Sequence, residues 1–407
     1  MENDNTIIKS LTAEGAKKIL VELVKVPSPQ TKLLEREPLL SKFIRTAIEP
    51  RLRDVGVKSI RYDGMQNLIA TYGEGISGKS LMFIGNAMNQ PKNTMENAYK
   101  GCVKDGKQFG LPGEVVLGKG ASEQKANLAA MLQAIEYIVS RKIQITGKLI
   151  FICCVSGESG RHDAIANVIE KENVRADMAI LGGSSLKITL GNRGRIDSFI
   201  SVSGSPCHSS SPSSGCNAVT GAVEILRRLE RKLVLKGEHP HLGRPSFAVN
   251  HIRSFPDSTH TIQNKCEITL DRRLLPGDNP EKAWSDIENI VMQVHGDKDP
   301  ASNMPWQVEF ERGPFMYPSL VEVEAPIVQL ISNSAKKILG KKPEVFYTTT
   351  AFDQGYLNHL GIPCVNYGCG EDRFAHTNED CASVDRTRDA AKVYAEIMES
   401  YLGVTRN

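Results

Sequence analysis

The chain has 407 residues, of which 40% are hydrophobic and 24% charged, and its formal net charge is +3. This balanced charge, without basic clusters and interleaved aromatic residues, excludes a typical nucleic-acid-binding protein. No run of 18 apolar residues could span a membrane, and the first ten residues lack a signal-peptide pattern. A chain of this length exceeds one hydrophobic core, so we expect two domains.

Nine cysteines are scattered along the chain, and only Cys153 and Cys154 are adjacent. An odd number without regular spacing is typical of reduced thiols rather than of a disulfide framework. The sequence therefore predicts a protein of the cytoplasm.

The first half of the chain alternates between helical and strand-like segments. Apolar residues at helical spacing predict one helix from Thr12 to Pro27 and a second over Leu39–Leu52. The segments that follow are NLIATY, SLMFIGNA, ANLAAMLQAIEYIVS, KLIFICCVS, HDAIANVIEK and ADMAILG, in chain order. Near-continuous apolar strands separated by helices predict an α/β domain whose sheet is covered on both faces.

After Arg195 the pattern changes, because IDSFISVSGS alternates apolar and polar residues as a half-exposed antiparallel strand does. The following segments predict the order β-α-β-β-α-β of a ferredoxin-like unit. The last segments, from APIVQLISNSAKKIL to RDAAKVYAEIMESYL, return to helix-strand-helix. We therefore predict an inserted domain at 196–312 within a discontinuous α/β domain formed by 1–195 and 313–407.

Several polar residues follow strands of the α/β domain, where ligands bind in open sheets. They are Asn86, Asn89, Glu123, Glu158, Asp353 and His376. Each alone is also explained as an ordinary loop residue. His208, among serines in the inserted domain, is equally well explained as a solvated histidine.

Four motifs stand in this order along the chain: GKGASEQKANLAAML, SGSPCHSSSPSSGCNAV, CEITLDRRLLPGD and FAHTNEDCASVD. Together and in this order they resemble the M20 metallopeptidase/deacylase family, which includes acetylornithine deacetylase and succinyl-diaminopimelate desuccinylase. Among the branches of the family, the chain is most similar to the YgeY-like hydrolases. The resemblance implies a mixed sheet flanked by helices and an inserted ferredoxin-like lid domain that forms a homodimer.

The resemblance also implies a damaged metal centre. In this family two zinc ions share a bridging Asp, each has a further carboxylate and a His, and a Glu acts as general base. Alignment by the motifs puts Asn86 at the His ligand and Met88 at the Asp that orients it. Glu123 takes the place of the bridging Asp, Gly157 that of the general base and Gly183 that of a carboxylate ligand.

Glu123, Glu158 and His376 match the ligands of one metal of the pair. The resemblance therefore implies at most one divalent ion, Zn²⁺, Mn²⁺ or Fe²⁺, and no two-zinc centre. Glu123 and Glu158 are also the candidate catalytic carboxylates. The alternative is that these three residues hold no metal and are merely hydrogen-bonded.

The predicted lid keeps more of the family pattern. His208 matches the His that reaches across the dimer to stabilise an oxyanion, which makes it a candidate catalytic and substrate-binding residue. Arg273 matches an Arg able to pair with a substrate carboxylate. His260 stands where many relatives carry Asn in the lid, and with Asn86 it completes the candidate substrate contacts.

These features lead to one hypothesis and two alternatives. The chain is predicted to be an M20-type hydrolase of small N-acyl or amide amino-acid-like carboxylates, with an altered metal site. The first alternative is a non-catalytic protein that binds a small carboxylate. The second is a metal-independent enzyme of altered C–N chemistry that uses Glu123, Lys125 and His208 as acid–base groups.

Overall fold

A computed structural model describes residues 2–157 and 159–405. The chain divides into two compact units. The first comprises the described residues through Gly191, Ser319–Tyr347 and those from Phe352 onward, and the second comprises Asn192–Pro318 and Thr348–Ala351. The segment predicted as an inserted domain, 196–312, lies within the second unit.

The strands in chain order are β1 (Ser59–Tyr62), β2 (Leu68–Tyr72), β3 (Ser80–Asn86), β4 (Cys102–Asp105), β5 (Glu114–Leu117), β6 (Gln144–Ile145), β7 (Lys148–Cys154), β8 (Met178–Ser184), β9 (Ile188–Asn192), β10 (Gly194–Ser203), β11 (Ser246–Phe255), β12 (Lys265–Leu274), β13 (Gln307–Met316), β14 (Ser319–Leu320), β15 (Val345–Thr348), β16 (Cys364–Gly370), β17 (Cys381–Ser383) and β18 (Val404–Thr405).

The α-helices are α1 (Glu2–Ser10), α2 (Ala13–Lys25), α3 (Pro38–Phe43), α4 (Glu49–Asp54), α5 (Ala126–Ser140), α6 (Asp163–Ala166), α7 (Ala218–Lys232), α8 (Pro280–Val291), α9 (Pro326–Leu339), α10 (Gln354–His359) and α11 (Val384–Leu402). Single π-helical turns span Ile44–Ile48, Ala121–Lys125 and Asn167–Lys171. Within the described residues, no helix is long and apolar enough to cross a membrane.

The first unit is built on a large mixed sheet with the strand order β1-β2-β7-β3-β8-β16-β9-β14, and β15 pairs with β9. The neighbours β7, β3, β8 and β16 run parallel, whereas β1, β2 and β7 pair antiparallel. The central strands are almost entirely buried, as expected for parallel strands covered by helices. Helices α5 and α11 pack against each other and against this sheet. The predicted α/β fold with a mixed sheet is confirmed.

The first two predicted helices have different outcomes. Thr12 caps α2 by accepting a hydrogen bond from the backbone N–H of Gly15, and the helix ends before Pro27 as predicted. The second, predicted as one helix over Leu39–Leu52, is helical throughout this range, but it is not a regular α-helix. It is divided into α3, a π-helical turn and α4. Pro50, in the first turn of α4, lacks the N–H group that a regular helix needs at this position, and the π-helical turn ends two residues before it.

The second unit contains β10, α7, β11, β12, α8 and β13 in chain order. Its antiparallel sheet has the order β11-β12-β10-β13, which is the strand order of a ferredoxin-like unit. Alternate residues of β10 and β12, such as Ile200 and Ile268, pack with Trp284 and Trp306 into a separate core. The pairing of β11 with β12 is interrupted by a β-bulge between Val249 and His251.

Candidate functional site

Glu123 and His376 meet in the first unit. Glu123 lies in the π-helical turn before α5, and His376 has a left-handed φ of 63° in the loop after β16. Nε2 of His376 is 3.3 Å from Oε1 of Glu123. Two ligand atoms of a tetrahedral zinc ion, with bonds of about 2.0–2.1 Å, lie about 3.3 Å apart. The pair therefore fits two ligands of a single divalent ion.

The third predicted ligand, Glu158, lies outside the described residues, and its metal-binding and catalytic roles stay predictions. Among the residues that the structure describes, no three His, Cys, Asp or Glu side chains form a metal-ligand group.

A buried network connects the two loops that carry Glu123 and His376. Asp380 accepts hydrogen bonds from the backbone N–H groups of Gly120 (2.7 Å) and Ser122 (2.8 Å). Nζ of Lys119 donates to the carbonyl of Thr377 at 3.0 Å and lies 3.6 Å from Asp380. Burial raises the pKa of the Asp380 carboxyl, although these donors oppose the shift. The network fixes the turn before Glu123 to the residue after His376, and sequence analysis missed it.

Lys125, the last residue of the π-helical turn that contains Glu123, is completely buried. Its Nζ donates to the carbonyl of Val26 at 2.9 Å and lies 5.2 Å from the ring centre of Phe43. Burial lowers the pKa of this amine to about 7, and the nearby Asp380 opposes the shift only partly. A pKa near 7 suits the acid–base role that the metal-independent alternative gives to Lys125. However, the amine donates its hydrogen bond to a backbone carbonyl in the interior.

Asn86 is the last residue of β3, and its side chain packs directly on Gly157. Only 5% of Asn86 is exposed, and its Oδ1 atom has no hydrogen-bond partner among the described residues. A β-carbon added to Gly157 would lie 1.9 Å from Nδ2 of Asn86. The amide therefore occupies the space into which a side chain at 157 would project.

Neighbouring positions of the implied second metal site are also filled by neutral groups. Met88 is fully buried, and its sulfur accepts a hydrogen bond from Ser156 at 3.7 Å. A β-carbon on Gly183 would lie 2.7 Å from the backbone nitrogen of Tyr367, so no side chain fits there without movement of β16. These neutral and glycine positions supply no carboxylate or imidazole. Among the described residues, Asn86, Met88, Gly157 and Gly183 therefore offer no ligand of the kind that the family pattern has at these positions.

His162 and Asp353 form a buried pair elsewhere in the first unit. Nδ1 of His162 lies 2.8 Å from Oδ1 of Asp353, and the ring of Tyr356 lies 5.0 Å from that of His162. His162 directly precedes α6 and Asp353 directly precedes α10, so the pair connects the starts of two helices. The sequence analysis singled out Asp353 but not its contact with His162.

In the second unit, the backbones of the loops that carry His208 and His260 are hydrogen-bonded. The backbone N–H of Ser209 donates to the carbonyl of His260 at 3.0 Å, and both histidine side chains are exposed. Nδ1 of His208 accepts a hydrogen bond from the backbone N–H of Ser210 at 3.1 Å. In neutral imidazole the proton then resides on Nε2, which leaves that atom as a donor.

Arg273 is engaged with a neighbouring carboxylate. Its Nε and a terminal nitrogen donate to the two oxygens of Asp271 at 2.9 and 3.1 Å. Arg195, on the adjacent strand β10, also lies 3.1 Å from Asp271. Any carboxylate ligand of Arg273 must therefore share the guanidinium with Asp271, and its predicted role in substrate binding stays a prediction.

Comparison with known proteins identifies the family. The family model described as Peptidase family M20/M25/M40 matches residues 90–400, well over half of the chain. The chain belongs to peptidase family M20. The Escherichia coli K12 protein YgeY is 24% identical over 403 residues, with 95% of this chain and 94% of YgeY covered. Acetylornithine deacetylase of Pectobacterium carotovorum is 25% identical, with 82% and 83% covered.

Among solved structures, the M20 metallo-carboxypeptidase Sso-CP2 from Sulfolobus solfataricus superposes with a TM-score of 0.76 at 18% identity. The comparison covers 95% of this chain and 99% of that one, and at this identity it shows the fold. The resemblance predicted from the four motifs is confirmed. M20 membership places the chain among peptidases and amidohydrolases, and the predicted enzyme class is therefore confirmed at this level.

Proposed function

We propose that the protein hydrolyses the amide bond of a small N-acyl amino acid or a similar carboxylate, with an altered metal site. The observation that carries this proposal is the contact between Glu123 and His376, which retains the spacing of two metal ligands. Support for the substrate class comes from the family, one relative being a deacetylase of acetylornithine, an N-acyl amino acid.

The proposed metal site is mononuclear. Glu123 and His376 would hold one ion, Zn²⁺, Mn²⁺ or Fe²⁺, together with Glu158. When bound, such an ion supplies Lewis-acid polarisation of an amide carbonyl. Asn86, Met88, Gly157 and Gly183 support the limit of one ion, because none of them offers a carboxylate or imidazole.

His208, His260 and Arg273 remain the proposed substrate contacts of the second unit. The hydrogen bond that Nδ1 of His208 accepts supports its role as an Nε2 donor to a developing oxyanion. Arg273 would pair with the substrate carboxylate beside Asp271.

The proposal includes a homodimer formed through the second unit. Strand β11 lies at the edge of its sheet, and Val249 and Ile252 are exposed on it. Long apolar edge strands are usually covered, because their free backbone groups invite another strand. Antiparallel pairing of two copies, centred between Asn250 and His251, would place Val249 of one copy opposite Ile252 of the other.

We also propose that the protein acts in the cytoplasm, which its nine free cysteines support.

A non-catalytic carboxylate-binding protein is the second candidate function. The specific observation in its favour is Gly157, where the family pattern has its general base and where Asn86 now fills the space. Loss of a general base removes a contribution of about 10²- to 10⁴-fold in rate. A metal-independent enzyme is the remaining alternative, and the lowered pKa of Lys125 supports it.

The proposal is tested by incubating the protein with a panel of N-acetyl and N-formyl amino acids and measuring the release of the free amine. The assay is repeated with Zn²⁺, Mn²⁺ or Fe²⁺ added. We expect turnover in the wild type and its loss in Glu123→Gln and His376→Ala. His241→Ala, at an exposed histidine of the second unit, is the control and should retain full activity. Unchanged rates in both site variants would contradict the proposal. Binding without turnover favours the carboxylate-binding protein, and turnover that persists in chelator favours the metal-independent enzyme.

A further inference from the structure

Glu123 and His376 are carried by two segments that leave a common pair of strands. Strand β17 pairs antiparallel with β5, and this pairing ends where Cys381 faces Leu117. The pairing therefore ends six positions before Glu123 and five positions after His376. Beyond that point, the pairing of these strands no longer fixes the distance between the two side chains, so other contacts must do so.

Asp380 caps the helical turn that contains Glu123. Gly120 stands at the N-cap position of this turn and has no side chain that could accept hydrogen bonds from the first N–H groups. Asp380, from the loop of His376, accepts them instead, from Gly120 at 2.7 Å and from Ser122 at 2.8 Å. A carboxylate at this end is also favoured by the helix dipole. The turn of Glu123 is thus held by a residue of the other loop.

Lys119 makes the reciprocal connection from the loop of Glu123. Its Nζ donates to the carbonyl of Thr377, the residue after His376, at 3.0 Å and lies 3.6 Å from Asp380. The side chains of Lys119 and Asp380 are only 1% and 2% exposed. Because both charges are removed from water, a buried pair of this kind is weak evidence for stability. What the contacts fix is the position of one loop relative to the other.

We propose that Lys119 and Asp380 are positioning residues, which hold Glu123 and His376 at the spacing of metal ligands before an ion binds. Neither side chain would touch the ion, because both are bonded to backbone groups of the loops. Without these contacts, the ion would have to order both loops as it binds, and its affinity would fall. The inference rests on the proposed function, because it concerns the same mononuclear site.

The probe for the test is Co²⁺, because its visible absorption depends on the number and geometry of its ligands. Titration of the metal-free protein gives both the dissociation constant and the spectrum. Lys119→Met removes the ammonium group, and Asp380→Asn leaves a single acceptor oxygen. We expect each variant to bind Co²⁺ about 10- to 100-fold more weakly than the wild type, with a changed spectrum. The substitutions lie in different loops, so either one decides if the other fails to fold.

Lys337→Met is the matched control, because it removes the same group from a partly buried ion pair of the first unit. Nζ of Lys337, on α9, lies 2.9 Å from the buried carboxylate of Glu396 on α11. This variant should unfold at a lower temperature by circular dichroism but keep the Co²⁺ affinity and spectrum of the wild type. Lys119→Arg keeps a cationic donor and should restore most of the affinity that Lys119→Met loses.

Two results would overturn the positioning role alone. One is the wild-type affinity and spectrum in both Lys119→Met and Asp380→Asn, and the other is an equal loss of affinity in Lys337→Met, which would assign the effect to general instability. A wild-type protein that binds no Co²⁺ would contradict the mononuclear site and the positioning role together. Because turnover is not measured in this test, one bound Co²⁺ without hydrolysis of any N-acyl amino acid would contradict only the proposed activity.

Discussion

Nδ1 of His162 and Oδ1 of Asp353 lie 2.8 Å apart, and both side chains are more than nine-tenths buried. Removing one partner of such a pair leaves a buried polar group without its hydrogen bond. We expect His162→Ala and Asp353→Ala each to lower the free energy of unfolding by about 2–4 kcal/mol. Urea-induced unfolding of each variant measures the change.

The matched control is the adjacent ion pair of Arg161 and Asp163, which is separated by 3.8 Å and exposed to solvent. Arg161→Ala should change the free energy of unfolding by less than about 0.5 kcal/mol. Equal losses in the buried and exposed variants would show that the His162–Asp353 contact contributes no particular stability.

The metal content of the protein is the second prediction. We expect at most one tightly bound divalent ion per chain, because Asn86 and Gly183 stand at two ligand positions of the family pattern and offer neither a carboxylate nor an imidazole. His376→Ala should reduce the bound metal to background, since it removes the imidazole 3.3 Å from Glu123. Mass spectrometry of protein purified without chelator and then reconstituted measures the ratio.

His241→Ala is again the control for the loss of a histidine, and it should keep the wild-type metal content. Two ions per chain would contradict the mononuclear site. Wild-type metal content in His376→Ala would show that His376 is not a ligand.

Much of the fold follows from the sequence because each pattern is local. The apolar segment ANLAAMLQAIEYIVS becomes α5 with the predicted bounds, and KLIFICCVS contains the buried strand β7. The helix predicted over Leu39–Leu52 is continuous, but it contains a π-helical turn at Ile44–Ile48, shortly before Pro50, which lacks a backbone donor.

The candidate site was predictable only where residue types match a family motif. Glu123 and His376 are 253 positions apart, and motif order alone placed them in one site. The contact of Asn86 with Gly157 was not predictable, because an absent side chain carries no pattern in the sequence. Lys119 and Asp380 were missed for a related reason: the backbone groups that they bind have no sequence signature.

Glu371 predicts a pH dependence of stability. Burial raises the pKa of its carboxyl from 4.5 to about 7, and this outweighs the opposing effect of Arg386. Because the folded protein holds the proton more tightly than the unfolded chain, the stabilising contribution is complete below about pH 4.5. It is lost as the pH rises through about 7.

Glu371→Gln stays neutral at every pH, so we expect it to remove a decrease of about 3 kcal/mol in the free energy of unfolding between pH 4.5 and 7.5. Denaturant unfolding across this pH range measures the difference between the variant and the wild type. Glu379→Gln, at an exposed position of the same loop, should leave the wild-type profile unchanged. If the free energy of unfolding of Glu371→Gln falls with pH as steeply as that of the wild type, a group other than Glu371 causes the decrease.

The proposed homodimer depends on the exposed apolar residues of strand β11. Ile252 is 51% exposed, and in the proposed antiparallel pairing it would contact Val249 of the other copy. Ile252→Lys places two like charges near the symmetry centre and leaves them without partners in an apolar contact. We expect this variant to sediment as a monomer at concentrations where the wild type is a dimer. Ile76→Lys alters a more exposed isoleucine of the first unit, and that variant should remain dimeric. A wild-type monomer, or a dimer that persists in Ile252→Lys, would remove β11 as the interface.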